Sequence, residues 1–176
     1  METTEKTAKM TLTSLTADFA IYNLWANQTM VEWLRPKPAE VLEQIVPSSF
    51  PSLKETLVHI WDTQRFWMAV LKQVAPPQSF RMGFEGTLED VMEGIVDQSR
   101  ELAIYIKFLG DDALTEEVEL RTPWASGIKS RVEWIQHCLS HSCYHRGQLV
   151  TIARNAVITS DIPMTDYSFY MLNVRD

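Results

Sequence analysis

The sequence has little cysteine, no long apolar run and no surplus of positive charge, and each shortage excludes a class of protein. Only two cysteines, Cys138 and Cys143, stand in 176 residues. Five apart on a helix, they diverge by roughly 140° around the axis, too far for a disulfide within it. A reducing, cytoplasmic setting is therefore expected. No apolar stretch approaches the roughly 18 residues needed to cross a bilayer. The opening METTEKTAKM has no apolar signal core. Neither a secretion leader nor a membrane partner is expected. Lysine and arginine number 16 against 23 acidic residues, for a net charge of −7. A nucleic-acid binder needs a basic footprint to displace counterions, so no nucleic-acid partner is expected. Histidine is scarce as well: there are four, and three fall between His137 and His145.

The length fits one domain over residues 1–176, and 45% hydrophobic residues are enough for a core. Four helical stretches emerge from the periodicity. The first runs from about Leu12 to Leu34, with Leu15, Phe19, Tyr22, Ala26, Met30 and Leu34 recurring at three and four, and stops at RPKP. The second opens at SLKE, where Ser52 can cap and Glu55 can reach back, and runs to APP at Ala75. The third opens on Thr87 and Asp90, carries Leu88, Met92, Ile95, Leu102 and Ile106, and has Gly110 as its expected closing residue. Val118 and Leu120 then alternate with polar residues ahead of PWASG, which fits a short β-hairpin. The fourth helix opens on Ser130 and Glu133 and runs to about Ala156; an aromatic tail follows and must dock somewhere. The fold class expected is all-α, a four-helix bundle with a short β-hairpin before the last helix. Long connections between the first two and the last two helices leave simple up-down-up-down order unassured.

The segment HCLSHSCYHRGQL places His137, His141 and His145 four apart. A step of four on a helix turns about 40° and rises about 6 Å, so either neighbouring pair can aim two imidazoles at one ion. The outer two are about 12 Å apart along the axis and do not readily share it. On a helical wheel all three fall with Trp134, Cys138 and Ile152 on the apolar seam, so they are expected to point into the bundle. Buried imidazoles need partners for their nitrogens, and a metal organises them directly. A site needs a third ligand, and His59 is the only histidine outside this helix. It lies on a flank of the second helix with Thr56, Thr63, Phe66 and Val70, away from an expected solvent arc of Lys54, Asp62, Arg65 and Lys72. That flank can abut the fourth helix; a boundary histidine without metal is the competing reading. Other constellations fail on spacing. Glu55–His59 and Glu133–His137 are four apart rather than the three of di-iron bundles. No HExxH, GxSxG or phosphate loop is present. Cys138 shares the histidine face and reads as core, with a place beside the site as the other reading.

HCLSHSCYHRGQL resembles the final-helix motif of the DinB-like (DinB/YfiT) proteins, with His145, Arg146, Gly147 and Gln148 matching their His-Arg-Gly-Gln run. YNLWANQTMVEWL, LVHIWDTQRFW and TDYSFYMLNVRD are similar to the family's first-helix, second-helix and C-terminal blocks, so the resemblance spans the chain. It implies a four-helix bundle holding a divalent ion, zinc or nickel, on His59, His141 and His145, with His137 outside the ligand set. It also implies thiol-dependent S-transferase or isomerase chemistry with a low-molecular-weight thiol. Because such an ion can activate either a thiol or water, the reading is a metal-dependent enzyme of thiol-dependent S-transferase or hydrolase type acting on a small molecule. The other reading is a non-catalytic metal-binding bundle with a structural, dimerising or ligand-binding role. Six tryptophans and the aromatic tail lead us to expect a homodimer built on helix faces.

Overall fold

Each long helix begins where a side chain can take the place of the missing preceding turn. The structure is a computed structural model that describes residues 10–175. The first nine residues, which include most of the stretch read for a leader, lie outside it. Helix α1 (Leu12–Leu34) starts at Thr11, whose hydroxyl accepts the Ser14 N–H while the Ser14 hydroxyl accepts the Thr11 N–H. Helix α2 (Ala39–Leu42) is a single turn in the connection that follows. Helix α3 (Leu53–Lys72) opens on Ser52, which accepts the Glu55 N–H at 3.1 Å. The expected return bond from Glu55 is not made. The helix ends before the prolines, because Gln73 takes a left-handed conformation (φ 52°) that closes its last turn. Helix α4 (Leu88–Lys107) has the expected reciprocal cap of Thr87 and Asp90. Each such cap contributes about 1 kcal/mol.

Gly110 does not close α4. It is the residue before helix α5 (Asp111–Thr115), with φ −86°, so its conformational freedom is not used there. The hairpin is present: β1 (Glu117–Arg121) pairs antiparallel with β2 (Ser126–Ser130), Glu117 opposite Ser130 and Arg121 opposite Ser126. Val118 and Leu120 face the core, the alternation expected of a half-buried strand. Helix α6 (Arg131–Asn155) opens on the Ser130–Glu133 box, and helix α7 (Tyr167–Asn173) lies in the tail. Among the described residues, no helix is long and apolar enough to cross a membrane.

α1 packs on α4 and α6, and α3 packs on α4 and α6. Two apolar clusters give the directions. One gathers Met30 and Leu34 from the end of α1, Leu53 and Leu57 from the start of α3, Val91 from the start of α4 and Ile152 from the end of α6. The other gathers Ala20, Leu71, Ile106 and Ile135 from the opposite ends. The order is thus up-down-down-up. Because α3 and α4 run the same way, residues 73–87 must return the length of the bundle. Fifteen residues suffice: extended they reach about 50 Å, against about 30 Å for a 20-residue helix. This crossover, absent from the sequence expectation of long links elsewhere, covers one flank of α3.

A buried polar layer lies between the clusters. Arg146, 2% exposed, donates to Asn23 Oδ1 (2.8 Å) and Asn27 Oδ1 (2.9 Å). Asn27 donates to Ser99 Oγ (2.9 Å), which lies 3.1 Å from Gln64 Oε1. Gln64 in turn reaches Ser142 Oγ at 3.4 Å. All four long helices contribute to this layer. The aromatic tail does dock: Tyr167 and Tyr170 pack on Tyr22, and Phe169 stacks on Trp25. Leu15, expected in the α1 stripe, is 45% exposed, because the stripe is covered only from Thr16 onward.

Candidate metal centre

Three of the four histidines meet where α3 lies against α6. His59 comes from the first half of α3, and His141 and His145 from successive turns of α6. One ring nitrogen from each lies within 4.8 Å of the other two. His145 Nε2 is 3.1 Å from His59 Nε2 and 3.1 Å from His141 Nε2. Nitrogens each about 2.0–2.1 Å from a tetrahedral ion would be about 3.3 Å apart. The donor set therefore fits a divalent ion of zinc's size.

The tautomers fit as well. His145 Nδ1 lies 2.7 Å from Gln148 Oε1. With the amide oxygen facing the ring, that oxygen accepts only, so Nδ1 carries the proton. Nε2 then presents its lone pair to the other two rings, the orientation a histidine ligand needs. Phe50, from the connection before α3, stacks on His59 at 3.9 Å between ring centres and holds that ring in place.

The electrostatics keep these rings neutral. Burial, followed by the neighbouring His145, His141 and Arg81, pushes His59 down from 6.5 to about 3. Burial and the charges of His145, His137 and Arg81 push His141 down to about 4. Burial also lowers His145, opposed by its bond to Gln148. A lowered imidazole pKa means that protons compete for the lone pair only at lower pH. Between pH 7.5 and 5.5 the affinity for zinc should therefore fall by less than about tenfold, whereas three ordinary imidazoles of pKa near 6.5 would lose about a thousandfold. Competition titrations at the two pH values distinguish these outcomes.

His137 departs from the expectation that all three α6 histidines face the interior. It is exposed, its ring 6.0 Å from that of His141 and edge-on to Trp67 at 4.7 Å. Eight residues before His145, it is turned about 80° around the helix, past the α3–α6 seam. Cys138 is fully buried in an apolar cluster, as expected of core, and burial pushes its thiol up to about 12. Cys143 is exposed, and both thiols are free.

The arc of α3 read as solvent-facing is partly covered. Asp62 and Arg65 are paired at 3.3 Å with side chains only 13% and 21% exposed. Ser79 on the crossover bonds to Asp62 Oδ2 at 2.5 Å, and Phe80 lies under the Arg65 guanidinium. The crossover and the hairpin tip thereby enclose a cleft of about 640 Å³ whose walls include His59, His141, His137, Trp67, Arg81 and Trp124. A second hollow of about 550 Å³ shares His59, Asp62 and Arg81 with it and also carries Glu43 and Glu55. The site thus opens on the α3–α6 flank, beside the polar layer rather than at an end of the bundle. Gln148 had a visible signal in its position three residues after His145. Phe50 and Arg81 had none, because they reach the site from the connections that flank α3, Arg81 from a short 3-10 turn (Phe80–Met82).

Comparison with known proteins agrees with this architecture. Protein DinB of Bacillus subtilis (strain 168) is 28% identical over 170 residues, covering 90% of this chain and 97% of that protein. The model of the DinB family matches residues 6–173, nearly the whole sequence and all four long helices with their three convergent histidines, and the chain belongs to the DinB family.

Proposed function

We propose that the chain is a metal-dependent enzyme of the thiol-dependent S-transferase or hydrolase type. In this reading His59, His141 and His145 hold a zinc or nickel ion. A divalent ion on three neutral imidazoles keeps its positive charge, lowers the pKa of a thiol or water that joins it, and polarises a substrate. The chain's own residues do the rest. Gln148 fixes the His145 tautomer, Phe50 fixes the His59 ring, and the crossover walls one side of the cleft. The supporting observation is that the triad is not sealed, since His59 and His141 form part of the wall of an open cleft. An ion enclosed by apolar side chains would instead favour the non-catalytic reading. The test is metal analysis of the purified chain, then a thiol-transfer screen on zinc- and nickel-loaded protein. Transfer that needs both metal and thiol is the expected result. Full metal loading with neither transfer nor hydrolysis across the screen would favour the non-catalytic bundle.

The proposal includes a cytoplasmic setting and no nucleic-acid or membrane partner, supported by the net charge of −7 and the free thiols. It also includes a homodimer, although five of the six tryptophans are buried or half-buried and only Trp124, at the hairpin tip, is exposed. The remaining support is an apolar groove between α1 and α6, lined by Leu12, Leu15, Phe19, Val132, Ile135 and Leu139. Light scattering should return twice the chain mass of 20.3 kDa. A monomer at high micromolar concentration would contradict the dimer.

A further inference from the structure

The cleft beside the triad has an unusual charge balance for a chain of net charge −7. Among the described residues its only carboxylate is Asp62, which is already engaged by Arg65 and by the Ser79 hydroxyl. Arg65 in turn lies over Phe80 and is held there. Arg81, in the cleft wall, has no ion pair among the described residues. Its side chain makes no hydrogen bond there either, and its one marked neighbour is the Phe50 ring, 5.9 Å away. The backbone beneath it is fixed. Ser79 Oγ accepts the Arg81 N–H at 3.2 Å, and the same hydroxyl ties the turn to Asp62 in α3. This is a guanidinium on a fixed backbone, exposed and without a counter-ion among the described residues, facing a cleft.

The opposite wall is apolar. Phe66, Trp67, Pro76, Pro77 and Trp124 line it. Trp124 stands 69% exposed at the hairpin tip, with its ring 6.0 Å from that of Phe66. Aromatic and proline faces of this kind cover the apolar body of a ligand, while a few polar groups fix its orientation. A guanidinium can take a carboxylate with two parallel hydrogen bonds.

We infer that the cleft binds a small organic anion, a carboxylate on an apolar or aromatic body, with Arg81 taking the carboxylate and Trp124 and Phe66 covering the body. Arg81 is then a specificity-determining residue that sets the charge class of the substrate. This deepens the metal-centre reading, and rests on it in taking the cleft that borders His59 and His141 as the substrate's place.

The test uses the full, metal-free chain at about pH 8, where the imidazoles are neutral and no ion competes for the carboxylate. Calorimetry compares 3-phenylpropionate with its uncharged amide. The acid should bind about tenfold more tightly, the contribution of a partly solvated charge-assisted bond. Arg81→Met should remove that preference and leave the amide unchanged; Arg81 is exposed, so the fold does not depend on it. Arg81→Lys should keep part of the preference, and Trp124→Ala should weaken acid and amide alike. Equal binding of acid and amide, a preference that survives Arg81→Met, or no binding of the acid at millimolar concentration would each overturn the inference. Metal uptake measured on the same preparations separates the two claims. A chain with the Arg81-dependent preference and no metal affinity would sink the metal reading alone, and one that loads metal without the preference would sink this inference alone.

Discussion

His145→Ala should cost the chain its tight divalent-ion binding, with affinity falling by more than about a hundredfold. Loss of a group that only supports a ligand already costs 10- to 100-fold, and loss of the ligand itself costs more. His145 is the hub of the triad, because its Nε2 is the atom 3.1 Å from both other rings. Without it, His59 and His141 remain on separate helices with no nitrogen between them. The fold should survive. The core residues of both apolar clusters come from all four long helices and do not pass through the site. A bundle of this size also buries enough apolar surface to fold without metal. Helical circular dichroism should therefore persist while metal content, and any metal-dependent activity, is lost. His137→Ala is the control and should keep its metal nearly intact. Equal loss of metal in the two variants would mean that the ligating pair on α6 is the wrong one. A His145→Ala chain that is unfolded at room temperature would make the ion mainly a structural staple.

Asn27→Leu should destabilise the chain by about 3 kcal/mol, the largest stability effect expected from a single polar side chain here. The substitution preserves size and removes two bonds at once. Ser99 loses its donor at 2.9 Å, and Arg146 loses one of two strong acceptors. Arg146 is 2% exposed, so water cannot make up the loss, and it has no carboxylate partner among the described residues. A buried cation left short of acceptors is costlier than a buried neutral group in the same position. Gln28, the next residue on α1, is exposed and bonds only to Glu32 one turn on. Gln28→Ala should change stability by less than about 0.5 kcal/mol. Urea unfolding of the two variants settles the comparison, and similar midpoints would show that the polar layer does not hold the helices together.

Local signals were legible in the sequence, while long-range ones were not. Helix starts depend on side chains within three residues, so Thr87 with Asp90 and Ser130 with Glu133 marked α4 and α6. The hairpin followed from the alternation of Val118 and Leu120. Glycine misled at Gly110, because a glycine after a helix can precede the next one as readily as close the last. The pairing of His141 with His145 is a property of one helix and was readable; the arrival of His59 depends on which flank of α3 meets α6. The wheel placed Asp62 and Arg65 on a solvent arc because it cannot register a crossover folded over them. The partners of Arg146 lie more than a hundred residues away in the chain, so no spacing rule could find them.

The central claim is that three imidazoles from two helices share one ion, and X-ray absorption at the metal edge of the zinc-loaded chain tests it most directly. The expected spectrum has three imidazole nitrogens at about 2.0–2.1 Å, oxygen scatterers in the remaining positions and no sulfur. It should be unchanged in His137→Ala and should lose one imidazole in His59→Ala. A sulfur scatterer near 2.3 Å, or only two imidazoles in the unaltered chain, would contradict the account.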